Sequence, residues 1–143
     1  MTITIELAEA IERALSGIEN VSVFQGFVPE SVPEYLPNHI KPYVAIFMGV
    51  GAGYEDMVGL CGTPDNDSLT VDFTITCVAQ TTHELYALTD TVRDRLATKK
   101  IMGDSYANLD WAAAQGQVML TDSEVTPARL YTPLTYTITI PRG

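Results

Sequence analysis

The chain of 143 residues has the size of one domain and carries 18 acidic against eight basic residues, a formal net charge of −10. This charge excludes tight, sequence-independent binding to nucleic acid, which needs a basic surface that displaces counterions from phosphates. Apolar runs fall far short of the ~20 residues that a membrane-spanning helix requires. The acidic N-terminal segment does not have the basic start of a signal peptide. We therefore expect a single domain over residues 1–143 that is made in a cytoplasm.

The first predicted element is an amphipathic helix over residues 4–16. Its apolar residues recur mostly at spacings of three and four, at Leu7, Ala8, Ile11, Leu15 and Ile18. Thr4 is placed to cap the N-terminus, and Gly17 is placed to end the helix in a left-handed conformation.

A short strand over residues 21–28 follows, with Gly26 as a bulge or a point of close approach. Residues 29–42 contain prolines at 29, 33, 37 and 42. This density excludes a regular helix or a central strand and predicts an extended connection along the surface. Residues 43–48 are apolar on both sides, which favours a strand covered on both faces over a strand packed at a subunit contact.

A long glycine-rich connection occupies residues 49–67. Connections of this length are usually functional or disordered, and a long hairpin with a flexible tip is the alternative. Gly49, Gly51 and Gly53 follow a strand as the glycines of a dinucleotide site do. Their G-x-G-x-G spacing and the acidic residues behind them argue against phosphate binding at this point.

The clearest element is a strand over residues 68–80 that we expect to lie at the centre of a sheet. One side of it is apolar, with Leu69, Val71, Phe73, Ile75, Cys77 and Ala79. The other side is polar, with Thr70, Asp72, Thr74, Thr76 and Gln80, and Val78 is its one exception. Because successive side chains of a strand point to opposite faces, one face of this strand is buried and the other is wetter.

A second amphipathic helix is predicted over residues 82–98. Its inward stripe consists of Leu85, Leu88, Val92 and Leu96, widened by Tyr86 and Thr89. Thr81 or Thr82 is the expected N-cap. Basic residues at the far end suit the negative end of the helix dipole.

The remaining chain predicts two further strands. Residues 103–117 are irregular, include Trp111 and allow a short helical turn, and residues 117–121 predict a short strand. Residues 129–140 alternate between apolar and polar side chains and close the sheet. Pro133 inside this last strand indicates an edge position or a bulge. The elements together predict an α+β fold.

Motifs for catalysis or metal binding are absent from the sequence. It contains no G-x-S-x-G elbow, P-loop, H-E-x-x-H or C-x-x-C pattern. His39 and His83 have no cysteine at metal-ligand spacing. Nothing selects a pair of carboxylates for acid–base chemistry, so the sequence predicts no catalytic residue, no cofactor and no metal site.

The order of helix, strand, proline-rich connection, strand, long loop, long alternating strand, helix and two strands resembles the tail terminator, or tail completion, proteins of long-tailed bacteriophages (minor tail protein U-like). The matching features are the first helix ending at Gly17, the strand KPYVAIFMG, and SLTVDFTITCVAQ running into HELYALTDTVRDRLAT. The closing strand RLYTPLTYTITI ends almost at the end of the chain, as it does in that family.

The resemblance implies a structural phage protein and not an enzyme. Its members form a hexameric ring on the end of the completed tail tube, stop tube polymerisation and offer a joining surface to head connector or neck proteins. The implied fold is a single mixed or antiparallel sheet of about four to five strands with both helices on one face. The implied location is the virion, in the tail or neck, after assembly in the bacterial host cytoplasm. DNA passes through such a ring, and an acidic protein would let it pass without specific binding.

The ring that the resemblance implies suggests candidate subunit contacts. They are Thr70, Thr74 and Thr76 on the wetter side of the central strand, Tyr54 and Met57 in the long loop, and Arg93 and Arg95 at the basic end of the second helix. Threonines that merely face water fit the same pattern. Two other functions stay open: another neck or connector component, and a small-ligand-binding or enzymatic domain. A deep apolar pocket with convergent polar groups would favour the last of these.

Overall fold

The computed structural model describes residues 3–18, 20–26, 32–36, 39–49, 68–101, 105–109, 120–122 and 129–141. Its helices are α1 (Ile3–Leu15) and α2 (Thr82–Thr98). Its strands are β1 (Ser22–Gln25), β2 (Glu34–Leu36), β3 (His39–Ile40), β4 (Tyr43–Met48), β5 (Ser68–Ala79), β6 (Asn108–Leu109), β7 (Leu120–Asp122) and β8 (Arg129–Pro141).

Within the described residues, six strands form one mixed sheet in the order β1-β4-β5-β8-β6, and β7 pairs with β8 as well. Only the outer pair β1 and β4 is parallel, while β4, β5, β8, β6 and β7 are joined by antiparallel pairs. β5 pairs with β8 along its whole length, which confirms its predicted place at the centre. The sheet exceeds the expected four to five strands because two short strands, β6 and β7, line the far side of β8.

Both helices pack on one face of this sheet, which we call the helix face, so the predicted α+β fold is confirmed. Its core unites side chains from both helices and the four longest strands of the sheet: Leu7, Ile11, Leu15, Leu85, Leu88, Val92, Leu96, Val44, Ile46, Val71, Phe73, Ile75, Cys77, Leu134, Tyr136 and Ile138, with Val23 of β1 packed against them. From Val71 to Ala79, every second residue of β5 enters the core, as the alternation predicts.

The two helices begin and end close to the predicted residues. α1 ends before Gly17, whose φ of +82° is the left-handed conformation expected there. Thr4 lies inside α1, so its predicted role as the N-cap is wrong. Thr81 does cap α2, since its side chain accepts a hydrogen bond from the Glu84 N–H at 3.2 Å.

One residue of the predicted inward stripe of α2 lies elsewhere. Tyr86 is 60% exposed and does not widen the buried stripe. Tyr86 follows Leu85 by one position, and adjacent residues of a helix face different directions. The spacing of three and four residues from Leu85 to Leu96 therefore defines the stripe.

The proline-rich connection does more than follow the surface. β2 and β3 pair with each other in a small antiparallel sheet, and Val32 and Ile40 are buried against Tyr43 and Val78. The expectation of a purely surface-hugging connection is therefore wrong. The apolar residues between the prolines cover part of the sheet face opposite the two described helices, which we call the second face.

Two hydrogen bonds fix this connection to the start of α2. The Ile40 N–H donates to Gln80 Oε1 at 2.8 Å, and His39 Nε2 lies 3.3 Å from Glu84 Oε1.

Two positions require glycine, each for a different physical reason. Gly26 follows β1 with a φ of +63°, so the positive φ selects glycine there, and a Cβ would meet only ordinary contacts. Gly49 follows β4, and a Cβ on it would lie 2.5 Å from the Asp72 carbonyl oxygen. Close approach of two backbones therefore selects the glycine at 49 rather than at 26.

Pro133 lies where β8 pairs with described strands on one side only. It is opposite Thr76 of β5, while β7 pairs with residues 129–131 and β6 with residues 136–137. The missing N–H of proline therefore costs no ladder hydrogen bond toward a described strand, which agrees with the predicted edge position.

Several predictions lie wholly or partly outside the described residues. These are the connection after Gly49, including Tyr54 and Met57, and the helical turn around Trp111. β6 was not predicted, because two residues give no readable period. β7 lies slightly later in the chain than the strand expected at residues 117–121.

Candidate functional site

The second face of the sheet divides into two halves that are built by the same strands. At one end, Tyr43, Val78 and Tyr131 pack with Val32 and Ile40 of the proline-rich connection, and we call this the covered half. Toward the other end, β5 and β8 present a row of polar side chains that we call the threonine face. Its members are Thr70, Asp72, Thr74, Thr76, Thr135, Thr137 and Thr139.

Strand register brings the threonines of β5 and β8 together. Thr70 is paired with Thr139, and Thr74 with Thr135, so their side chains are cross-strand neighbours on one face. Thr70 Oγ1 lies 3.3 Å from Thr139 Oγ1, within hydrogen-bond distance. The sequence selected Thr70, Thr74 and Thr76, and the structure places all three on this face and adds three of the four threonines of β8, Thr135, Thr137 and Thr139.

Asp72 is the exposed charged side chain of the threonine face. Its Oδ1 accepts a hydrogen bond of 2.7 Å from Thr137 Oγ1, which holds the carboxylate in place across the strand pair. Among the described side chains of this face, no cation accompanies it. The face is therefore polar, ordered by its own hydrogen bonds and slightly negative.

Phe47 adds an apolar side chain to the edge of the threonine face. It is 43% exposed on β4 and lies opposite Thr74 in the register. The preceding residues of β4, from Tyr43 to Ile46, are buried, which confirms that this strand is covered on both faces over most of its length. Phe47 is where that cover ends.

The covered half contains a buried arginine that sequence reasoning missed. Arg129 is only 8% exposed, and its Nη1 donates a hydrogen bond of 2.8 Å to the Tyr43 hydroxyl. Its guanidinium carbon lies 5.7 Å from the centre of the Tyr43 ring, a distance suited to a cation–π contact. Phe24 packs edge-on against the same ring. Arg129 begins a strand in the sequence, and its partner Tyr43 lies 86 positions away, so the sequence gives no signal for its burial.

The two arginines that the sequence selected have separate surroundings. Arg95 Nη1 donates to the carbonyl oxygens of Ala14 at 3.3 Å and Ser16 at 3.0 Å, so it binds the C-terminal end of α1. Arg93 is exposed and lines a groove beside α2. The structure does not bring them together as one docking site.

That groove has a volume of about 730 Å³ and runs between α2 and the edge of the sheet. It is lined by Asp90, Arg93, Asp94, Ala97, Tyr106, Ala107, Asn108, Leu109 and Tyr136. Burial raises the pKa of the Tyr136 hydroxyl to about 12, with a smaller upward contribution from Cys77 and a lowering one from Arg93. Tyr136 is thus a neutral phenol at physiological pH and not a poised base.

The described residues give no further site for chemistry. Burial raises the pKa of the Cys77 thiol from its ordinary 9.0 to about 12, so it is a core side chain and not a nucleophile. No cluster of three or more potential metal ligands occurs in the described part of the chain. Neither described helix is long and apolar enough to cross a bilayer.

The chain was compared with models of protein families and with curated proteins. Neither the models of protein families nor the curated proteins gave a match to the chain. Function is therefore inferred from the surfaces of the fold.

Proposed function

We propose that this protein is a structural phage protein that assembles through its threonine face into a ring, caps the tail tube, ends tail polymerisation and forms the head–tail joining surface. The threonine face is the observation that carries the proposal. The element order and its resemblance to tail terminator proteins give the proposal its biological setting.

The threonine face has the physical properties of a wet protein–protein contact. Its hydroxyls partly bind one another and Asp72, so the cost of removing them from water is lower than for unpaired groups. The threonine methyl groups and Phe47 supply apolar area whose burial favours association. Aromatic residues such as Phe47 are enriched in interfaces of this kind.

The charge of the chain supports a ring that encloses DNA. With 18 acidic and eight basic residues, the assembled surface repels phosphates on average. DNA could therefore pass without adhering to the ring.

A small-ligand-binding function is the second candidate, because the groove beside α2 has a suitable volume of about 730 Å³. Its rim contains Asp90, Arg93 and Asp94, which are exposed. Ligand pockets usually enclose their ligand, and this groove is an open trough between α2 and the sheet edge. We therefore rank it below assembly.

Two measurements on the purified protein test the proposal. Light scattering over a concentration series should show a closed oligomer, as a cyclic assembly is, of about six copies, the number that the resemblance to tail terminator proteins implies. Added to polymerising tail tube protein, the wild type should stop tube growth, and electron microscopy should show it at tube ends. Tubes of unchanged length that carry no added density at their ends would contradict the proposed function.

A further inference from the structure

Half of the basic residues of this acidic chain lie at one corner of the molecule. These four of the eight stand on the last turn of α1 or on and just after the last turn of α2: Arg13, Arg95, Lys99 and Lys100. The corner forms because the C-terminal ends of both helices meet, as the hydrogen bonds from Arg95 to Ala14 and Ser16 show. We call it the basic corner.

Helix dipoles account for part of this concentration. The C-terminal end of a helix carries partial negative charge, and two such ends meet at the basic corner. Arg95 binds the end of α1 directly. Its guanidinium is therefore committed within the chain.

Arg13 and Lys99 are differently placed. Both are exposed, and their side chains make no ion pair with a residue in the described part of the chain. They line a notch of about 210 Å³ together with Lys100 and the small side chains of Ala10 and Ala14. Two exposed cations thus flank a shallow depression in an otherwise acidic protein.

An exposed carboxylate without a described cation on its own face lies on the other side of the sheet. Asp72 is exposed on the threonine face, whereas the basic corner belongs to the helix face. One molecule cannot bring its own two surfaces together. Two basic corners facing each other would repel, and so would two Asp72 carboxylates, so a contact between identical surfaces is disfavoured.

We propose that the basic corner of one copy binds the threonine face of the next copy, with Arg13 and Lys99 against Asp72. This inference rests on the proposed function and names the second half of the subunit contact. Successive copies are then related head to tail, which is the arrangement that closes into a ring when the rotation between copies permits it. Because the paired charges lie near the surface, the contact weakens as salt rises.

Charge exchange tests this contact. The variants are R13E/K99E, D72K and the triple variant R13E/K99E/D72K, each studied by sedimentation velocity at low and high salt. We expect either reversal to weaken self-association about tenfold or more and the triple variant to recover it, because the opposite charges face each other again. D90K is the matched control: it makes the same charge change at an exposed site of α2 and should associate like the wild type.

Circular dichroism melting curves of all variants separate loss of folding from loss of contact. Failure of the folded triple variant to recover association would overturn the proposed pairing, and so would salt-independent association of the wild type. A wild type that stays monomeric at low salt would also overturn it. The proposed function is judged separately by tube capping, which a ring held together by other surfaces would still perform.

Discussion

The covered half and the threonine face show how one pair of strands yields two different surfaces. β5 supplies Val78 to the covered half and Thr74 to the threonine face, and β8 supplies Tyr131 and Thr135 in the same way. The strand period is identical throughout. What differs is the neighbour: among the described residues, the proline-rich connection packs on the first half, where the side chains of the sheet are large and apolar. The other half is polar, and no described segment packs on it.

The largest expected effect is a difference in unfolding free energy between a substitution on the helix face and one on the threonine face. Phe73→Ala removes a side chain that is almost completely buried, and we expect the free energy of unfolding to fall by about 3–5 kcal/mol. The adjacent change Thr74→Ala should alter it by no more than about 0.5 kcal/mol. Chemical denaturation of both variants measures the difference. Similar losses in the monomer would mean that the threonine face is part of the core.

A reciprocal exchange sharpens the boundary between the two halves. Val78 is only 6% exposed, so Val78→Thr places a hydroxyl in the buried covered half. We expect this to lower the free energy of unfolding by about 1–3 kcal/mol. Thr76→Val makes the reverse change two residues earlier and should be close to neutral. Equal effects in denaturant titrations would remove the distinction between the halves.

Tyr43→Phe tests the anchor of the covered half. It removes the acceptor of the Arg129 hydrogen bond and leaves a buried donor unsatisfied, so we expect a loss of about 1–3 kcal/mol in unfolding free energy. Tyr86→Phe is the control, because that hydroxyl belongs to a side chain that is 60% exposed. An unchanged melting temperature for Tyr43→Phe would show that the hydrogen bond is replaced by another partner.

Alkaline pH should weaken the helix face through Cys77. Its pKa is about 12 in the folded chain and 9.0 when exposed, so the unfolded state loses its proton first. The stability is complete below pH 9 and declines as pH rises toward 12, by about 1 kcal/mol at pH 10. Tyr136, with a pKa raised from 10.0 to about 12, adds to the decline above pH 10.

Unfolding titrations from pH 8 to pH 11 measure this decline, and Cys77→Ala supplies the reference. The variant should lose part of the pH dependence. An identical slope in both proteins would show that other groups cause it.

The sequence was sufficient wherever a long period controlled the fold. Burial on one face must repeat with the geometry of the element. The alternation of β5 and β8 and the three- and four-residue spacing in α2 therefore predicted which side chains are buried. The prediction that Tyr86 widens the inward stripe is wrong, because this residue is adjacent to Leu85 on the helix and points in a different direction.

Features that depend on distant parts of the chain could not be predicted in this way. The burial of Arg129 depends on Tyr43, 86 positions away, and the role of Arg95 depends on the end of α1. The threonines of β8 were visible as a pattern, but their meeting with Thr70 and Thr74 required the strand register. Residue type alone predicted part of the candidate site, and the remaining members could be identified only from the topology of the sheet.

The central claim is that the threonine face is a subunit contact. Its most direct test is the native mass, measured by light scattering, of the wild type, Thr74→Arg and Ala87→Arg. Both variants place the same long cation on an exposed or partly exposed site, one on the threonine face and one on α2. We expect a closed oligomer for the wild type and Ala87→Arg and a folded monomer for Thr74→Arg. An oligomer of unchanged mass in Thr74→Arg would contradict the claim.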